Sequence, residues 1–276
     1  MADAENTLSE NYTSPINRVS NSLNMLLGGV YSPDTLADKI NKKEQHERLY
    51  ARIAATEARR QRNLEAVISA SYDADNLNQE VQIDAVIDPD WLAAFTTHAQ
   101  DIGNADMHGV WGHVLLREAT KPGTVSLLAL QILRGMVPDD LDLWKKVGRI
   151  AFPTGYLIKI GDRSDFGPYG ISEIDIVHLQ TLGLLQYIED LGITFYAPTK
   201  GITYDFKGSS LIVRHPTSQL FTLPAFRMTG LGVELLSLLA DMPVSIEYLT
   251  ALGKHLQSEG YDYRIRDAQG ALIEQA

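Results

Sequence analysis

The stretch DPDWLAAFTTHAQDIGNADMHGVWGHVLL, residues 88–116, reads as two capped helices meeting at a corner. Asp88 stands at an N-cap with Pro89 in the first turn, where a missing N–H costs nothing and the fixed φ suits a helix. Trp91, Leu92, Phe95, Ala99 and Ile102 then recur at helical spacing and make a buried face. Gly103 is expected to end this helix and Asn104 to cap the next. Asp106 falls in that helix's first turn, where the dipole favours a carboxylate. Met107, Val110, Trp111, Val114, Leu115 and Glu118 share one broad side, largely apolar. Glycine inside a helix costs about 1 kcal/mol relative to alanine. Gly109 and Gly112, with Ala105, therefore predict a face approached closely by another backbone.

The corner also concentrates chemistry-bearing side chains. Residues 98–113 hold three of the chain's seven histidines and two aspartates. His108 and His113 lie roughly 140° apart on a helix, so one ion cannot bind both, and the i, i+4 zinc spacing is missing. His98 and Asp101 share a helical side. The reading is a hydrogen-bonded structural corner with no metal assigned. The alternative is a metal-dependent enzyme in which His98, Asp101 and His108 meet across it. Trp91, Phe95, Asp106, Gly109, Trp111 and Gly112 are read as packing or capping residues.

Outward from the corner, LLALQILRGM is apolar nearly all round and is expected to be central. VPDDLDLWKKVGR places its acids early and its bases late, complementing the macrodipole. Upstream, Ser32 to about Tyr72 reads as a long charged helix with a polar middle, TEARRQRN, that must project into solvent or pair with charged neighbours. Residues 38–65 hold eight Lys and Arg against five Asp and Glu, whereas 63–116 hold nine acidic residues and no Lys or Arg. The asymmetry predicts a basic helix meeting an acidic surface, within one chain or between copies. Before it, Ile16, Val19, Leu23, Leu26, Leu27 and Val30 suggest a short amphipathic helix, and residues 1–14 a polar tail. VQIDAVID alternates like a short strand with helix entry possible at its end.

After about Ile150 the pattern changes to short β-type runs, GYLIKI, GITFYA, ITYDF, SLIVRH and LFTL, with FKGSSL as a hairpin turn. SEIDIVHLQTLGLLQ, with Ser172 and Asp175 spaced as a capping box, precedes the hairpin, and a helix capped by Thr229 follows it. Helix, LGLL, hairpin and capped helix suggest a winged-helix-like module. The predicted class is α+β and mostly helical, with segments 1–14 (tail), 15–150 (helical), 151–243 (winged-helix-like) and 244–276 (C-terminal helix and strand).

Composition narrows function. No cysteine is present, which excludes disulfides and thiolate chemistry and fits a cytoplasmic protein. The longest apolar runs are far short of the roughly 20 residues that span a bilayer, and no secretory signal pattern is seen. A net charge of −11 argues against coating nucleic acid through the overall field. Locally, Lys207 and Arg214, near Lys200, Tyr204 and Phe206, could contact nucleic acid. GDRSDFGPYG, residues 161–170, lacks phosphate-loop and calcium-loop spacing, TGLGVE is too short for a dinucleotide fingerprint, and Ser209 and Ser210 lack a nucleophile-elbow context. No cofactor is indicated.

Trp91-Leu92, Phe95, Ala99, Asp101-Ile102, Asp106, Trp111-Gly112, Leu115 to Glu118, Pro122-Gly123, Ser126 and Leu130 resemble a family of bacterial proteins of unknown function. SNSLNMLLGGVYSPDTLADK, LGLL and the segment Thr229 to Leu235 are similar to the same family, which carries over no catalytic residue. Some relatives resemble abortive-infection or mobile-element proteins, which implies phage defence by association. The functional expectation is a non-enzymatic, intracellular interaction or regulatory protein, a homo-oligomer through its helical domain with an unidentified protein partner. The alternatives are a nucleic-acid-binding winged-helix-like regulator and the metal-dependent enzyme.

Overall fold

Helical periodicity up to residue 148 and two-residue alternation after it are both realised in the computed structural model, which describes residues 42–74, 86–161, 166–186, 192–238 and 242–275, together with 22, 23 and 26. The expected tail 1–14, most of the expected 16–30 helix and residues 81–85 of the strand-like segment lie outside the described residues. Residues 86–88 carry no regular structure and lead directly into a helix.

The helical part comprises α1 (Lys42–Ala74), α2 (Pro89–Ala99), α3 (Ala105–Thr120), α4 (Leu127–Gly135) and α5 (Pro138–Gly148). Its caps follow the sequence. The Asp88 carboxylate accepts from the amides of Asp90 and Trp91, and the Asn104 side chain accepts from Asp106 and Met107. Helix α2 stops at Ala99, short of Gly103, because the Asp101 and Ile102 amides turn back onto the His98 and Ala99 carbonyls. Trp91 stacks on Phe95 at 5.2 Å between centroids, and Phe95 meets the fully buried Trp111 at 5.5 Å. Helix α4 is not buried all round. Leu130 and Leu133 enter the core while Leu127 and Leu128 stay half exposed, on a helix that packs mainly against α2 and α7 (Gly230–Leu238).

The second part begins with β1 (Tyr156–Ile158) and α6 (Glu173–Thr181), the latter capped by the reciprocal Ser172–Asp175 box. Strands β2 (Gly192–Ala197), β3 (Ile202–Phe206), β4 (Ser209–Arg214) and β5 (Gln219–Arg227) form one long bent hairpin. Ala197 faces Gln219 and Ile202 faces Val213, so residues 198–201 on one leg oppose 214–218 on the other. The extra residue bends the ribbon, with Gly201 and Ser218 at positive φ in the corner. Below the bend, β2 and β5 join β1 in the order β1-β5-β2. Above it, β3 and β4 join β6 (Asp262–Asp267) and β7 (Leu272–Gln275) in the order β3-β4-β6-β7. Phe152 fills the inside of the bend, 5.2 Å from Phe195, 4.9 Å from Tyr204 and 5.1 Å from Phe206. Helix α8 (Ile246–Ser258) covers β6, and Gly253 leaves room for the Tyr263 ring to lie against its backbone.

Candidate functional site

At the corner between α2 and α3 the three candidate residues do not form one site. The Asp101 carboxylate oxygen Oδ1 accepts from Arg59 Nη2 at 3.2 Å and from Arg60 Nε at 3.1 Å. His108 Nε2 lies 2.8 Å from the Ile102 carbonyl. His98 packs edge-on against Trp111 at 6.4 Å, with Nδ1 buried and lacking a partner. Each side chain thus serves a different neighbour. Among the described residues no group of three His, Cys, Asp or Glu is placed to hold a metal ion. Asp106 is exposed in the first turn of α3.

The charge segregation resolves within the chain at this point. Arg59 and Arg60 come from the polar middle of α1, and Asn63 adds a hydrogen bond from Nδ2 to the Gln100 carbonyl at 3.0 Å. The middle of α1 therefore pairs with the end of α2 instead of standing in solvent. Burial pushes the Asp101 carboxyl up, but the hydrogen bonds and charges of Arg60 and Arg59 outweigh it and hold the group below its ordinary value of 3.8. Burial, helped by the charge of Arg134 and opposed by Asp101, holds His98 below its ordinary 6.5.

Both groups have depressed folded-state values, so both stabilise the fold at higher pH. The contribution of His98 is complete above about pH 6.5 and is lost as pH falls below it. That of Asp101 is complete above about 3.8 and is lost through its lower folded value. Urea unfolding from pH 7 to pH 5 should show falling stability that His98→Gln flattens. Asp101→Asn should leave that window unchanged and flatten the slope below pH 4. An unchanged slope in both variants would overturn the assignment.

The glycines of α3 separate. A Cβ on Gly112 would lie 2.8 Å from the Ala70 carbonyl carbon and 2.8 Å from the Ser71 nitrogen, whereas Gly109 has nothing within 4 Å. The close backbone approach is real at one position only, and the backbone that approaches is α1.

Glu118, on the largely apolar side of α3, has a role that helical periodicity does not signal. It is 1 % exposed, and its carboxylate accepts from the amides of Gly123 at 2.6 Å, Thr124 at 3.1 Å and Val125 at 2.9 Å. The TKPGTVS break is thereby wrapped around one anion. Two further joints went unread. Glu234 accepts from the Ser126 amide at 2.6 Å and hydroxyl at 3.0 Å, tying α7 to the start of α4. Asp140, largely buried, meets His178 Nε2 at 2.6 Å and links α5 to α6.

The candidate nucleic-acid contacts are dispersed. Arg214 Nε pairs with Asp262 at 2.8 Å across β4 and β6. Lys207 sits in the β3–β4 turn and lines a cleft of about 420 Å³ with Arg117. On α6 the exposed positions are Glu173, Ile174, Val177, His178 and Thr181, with no Lys or Arg. Ile174 is 81 % exposed and Val177 54 %. Of the loop GDRSDFGPYG, residues 162–165 lie outside the described ones, and Gly167–Tyr169 form a 3-10 turn closed by Gly170 at positive φ.

Residues 47–158 match the family described as Protein of unknown function (DUF2806). The block at 91–130 that resembles a bacterial family of unknown function falls inside that span, and the segment Thr229 to Leu235 falls outside it. No curated protein and no solved structure matches the chain. No described helix is long and apolar enough to cross a membrane.

Proposed function

We propose that the protein is a non-enzymatic, intracellular interaction protein that self-associates through α1 and offers its second part to a protein partner. The observation carrying this reading is the amino-terminal half of α1. The helix has 33 residues, about 50 Å of length at 1.5 Å per residue. From 46 to 62 none of its residues is buried, and burial begins at Asn63. Leu49, Tyr50 and Ile53 stand exposed on neighbouring turns of that half. Arg59 and Arg60 already have Asp101, so the association is apolar in origin and resists salt.

Light scattering on an eluting column tests this at low and at high salt. A dimer or higher species in both is expected, and Tyr50→Glu with Ile53→Glu shifts it to monomer while leaving the far-ultraviolet circular-dichroism spectrum unchanged and removing any concentration dependence of unfolding. A wild-type monomer at tens of micromolar overturns it.

The winged-helix-like assignment of the second part is supported by the sheet order β1-β5-β2 with α6 between β1 and β2 in sequence. The helix such a module presents to a ligand is α6, and its outward face is apolar and acidic. That chemistry suits a protein surface better than phosphates. A place in phage defence rests on the family resemblance alone and follows from no residue described above.

A further inference from the structure

We infer that the outer edge of β7 takes an acidic, extended segment of a partner protein as a fifth strand, with carboxylates on its alternate residues held by Arg264 and Arg266. This adds to α6 a second surface through which the second part meets a protein partner.

Strand β7 ends the order β3-β4-β6-β7, so one of its edges faces no other strand. The Asp267 amide donates to the Ala271 carbonyl. Backbone groups alternate in direction along a strand, so the next residue, Leu272, turns its N–H and C=O away from β6. Proline and lysine commonly blunt such edges. The opposite edge carries Pro198 and Lys200 where the β2–β3 leg bends, whereas β7 has neither residue, and its Leu272 and Ile273 are exposed. A register shift between Ile265 and Arg266 twists the β6–β7 pair without ending it, since Gln275 still faces Arg264. The one charged side chain of β7, Glu274, turns to the α8 side. There the Thr250 hydroxyl donates to it at 2.6 Å, the Tyr263 hydroxyl at 3.2 Å and Lys254 Nζ lies 3.4 Å away, so its charge is neutralised within the fold.

The face opposite α8 sets the acidity of the guest. Tyr263 and Ile265 are buried on the α8 side, so Arg264 and Arg266 project from the other face of the sheet, in register with Gln275 and Leu272. Among the described residues neither guanidinium has a hydrogen-bond or ion-pair partner, and Arg266 Nε is buried without one. The neighbouring acids are held or distant. Asp262 pairs with Arg214 at 2.8 Å, Asp267 accepts from the Gln269 and Ala271 amides of its own turn, and Asp205 stands two strands from Arg266, beyond Ser210. A strand added to β7 lies about 10 Å from β6, a gap that an arginine and a glutamate side chain span together. The planar guanidinium fork fits a carboxylate there. A second copy of β7 fits worse, because it offers Leu272 and Gln275 to this face and brings two more arginines with it.

Fluorescence anisotropy of the full chain with a dye-labelled peptide that alternates glutamate and valine tests this. Saturable one-to-one binding is expected, about tenfold weaker for the peptide with glutamine in place of glutamate and for Arg264→Gln with Arg266→Gln. N-methylation of one alternating set of peptide amides should abolish binding and of the other set spare it, since only one edge of the guest meets β7. Tyr50→Glu with Ile53→Glu should leave binding unchanged, so failure here and failure of self-association are read separately. Ile174→Glu should leave it unchanged too. Loss of binding in that variant, with the arginine variant still binding, moves the peptide to α6 and overturns this inference alone. No saturable binding below about 1 mM, equal binding of the glutamine peptide, indifference to both methylation patterns, or tighter binding of a labelled oligodeoxythymidylate overturns it as well.

Discussion

Glu118→Ala is expected to lower the unfolding free energy by about 3 kcal/mol, a large share of the roughly 5–15 kcal/mol that a folded chain has to lose. The carboxylate holds three successive amides, and its removal strands them unequally. Gly123 is exposed and Thr124 is partly so, and both amides can turn to water. The Val125 amide is buried and cannot. An orphaned buried N–H costs about 1–3 kcal/mol, and the lost charge-assisted bonds add to it. The effect spreads, because the Val125 carbonyl accepts the Trp91 indole N–H at 2.7 Å and Trp91 stacks on Phe95. The variant should therefore show a lower urea midpoint and a changed near-ultraviolet tryptophan signal. Glu118→Gln keeps one carbonyl acceptor and should lose about half as much. Equal stability of Glu118→Ala and wild type would mean that the loop finds other acceptors.

Much of the helical part was legible because its signals are local. Asp88, Asn104, Ser172 and Thr229 cap helices where their sequence positions place them, and Trp91, Phe95 and Trp111 are buried as the periodicity requires. Strands β1 to β6 were legible for the same reason, together with the Lys207–Gly208 turn, whereas β7, exposed along most of its length, was not. What the sequence hid depends on partners distant along the chain. Glu118 on an apolar face reads as a stray polar residue until the loop that wraps it is seen. His98, Asp101 and His108 read as a cluster because they are close in sequence. Asp101 is claimed by arginines 41 and 42 residues away, and no local pattern carries that. Arg117 reads as an ordinary last-turn base until α7 and the hairpin close a cleft over it.

The residues that carried the family resemblance are joints. Asp101 receives α1, Gly112 admits its backbone, Glu118 wraps the loop and Ser126 donates to Glu234 of α7. In the Thr229 to Leu235 segment, Thr229 bonds to the Gly183 carbonyl, and a side chain at Gly232 would collide with the Leu184 carbonyl. Such positions fix how helices meet. They describe a scaffold, and the exposed faces of α1 and α6 lie apart from them.

The sharpest test of that scaffold sets two glycines of one helix against each other. Gly109→Ala should stabilise the protein by about 0.5–1 kcal/mol, because alanine restricts the unfolded chain and nothing stands within 4 Å of the new methyl. Gly112→Ala gains the same propensity but places its methyl 2.8 Å from the Ala70 carbonyl carbon and 2.9 Å from the Ala70 Cβ. Backbone cannot swing aside as a side-chain end can, so α1 and α3 must part, and overpacking of this kind costs about 1–3 kcal/mol. The net loss is about 1–2 kcal/mol for alanine and exceeds about 3 kcal/mol for Gly112→Val, whose branched side chain also resists the helix. Parting the helices also loosens the seat of Val67 and the Asn63 bond to Gln100, so amide exchange along 63–74 should rise in Gly112→Val. If both alanine variants shift stability in the same direction, α1 does not pack on α3 at Gly112.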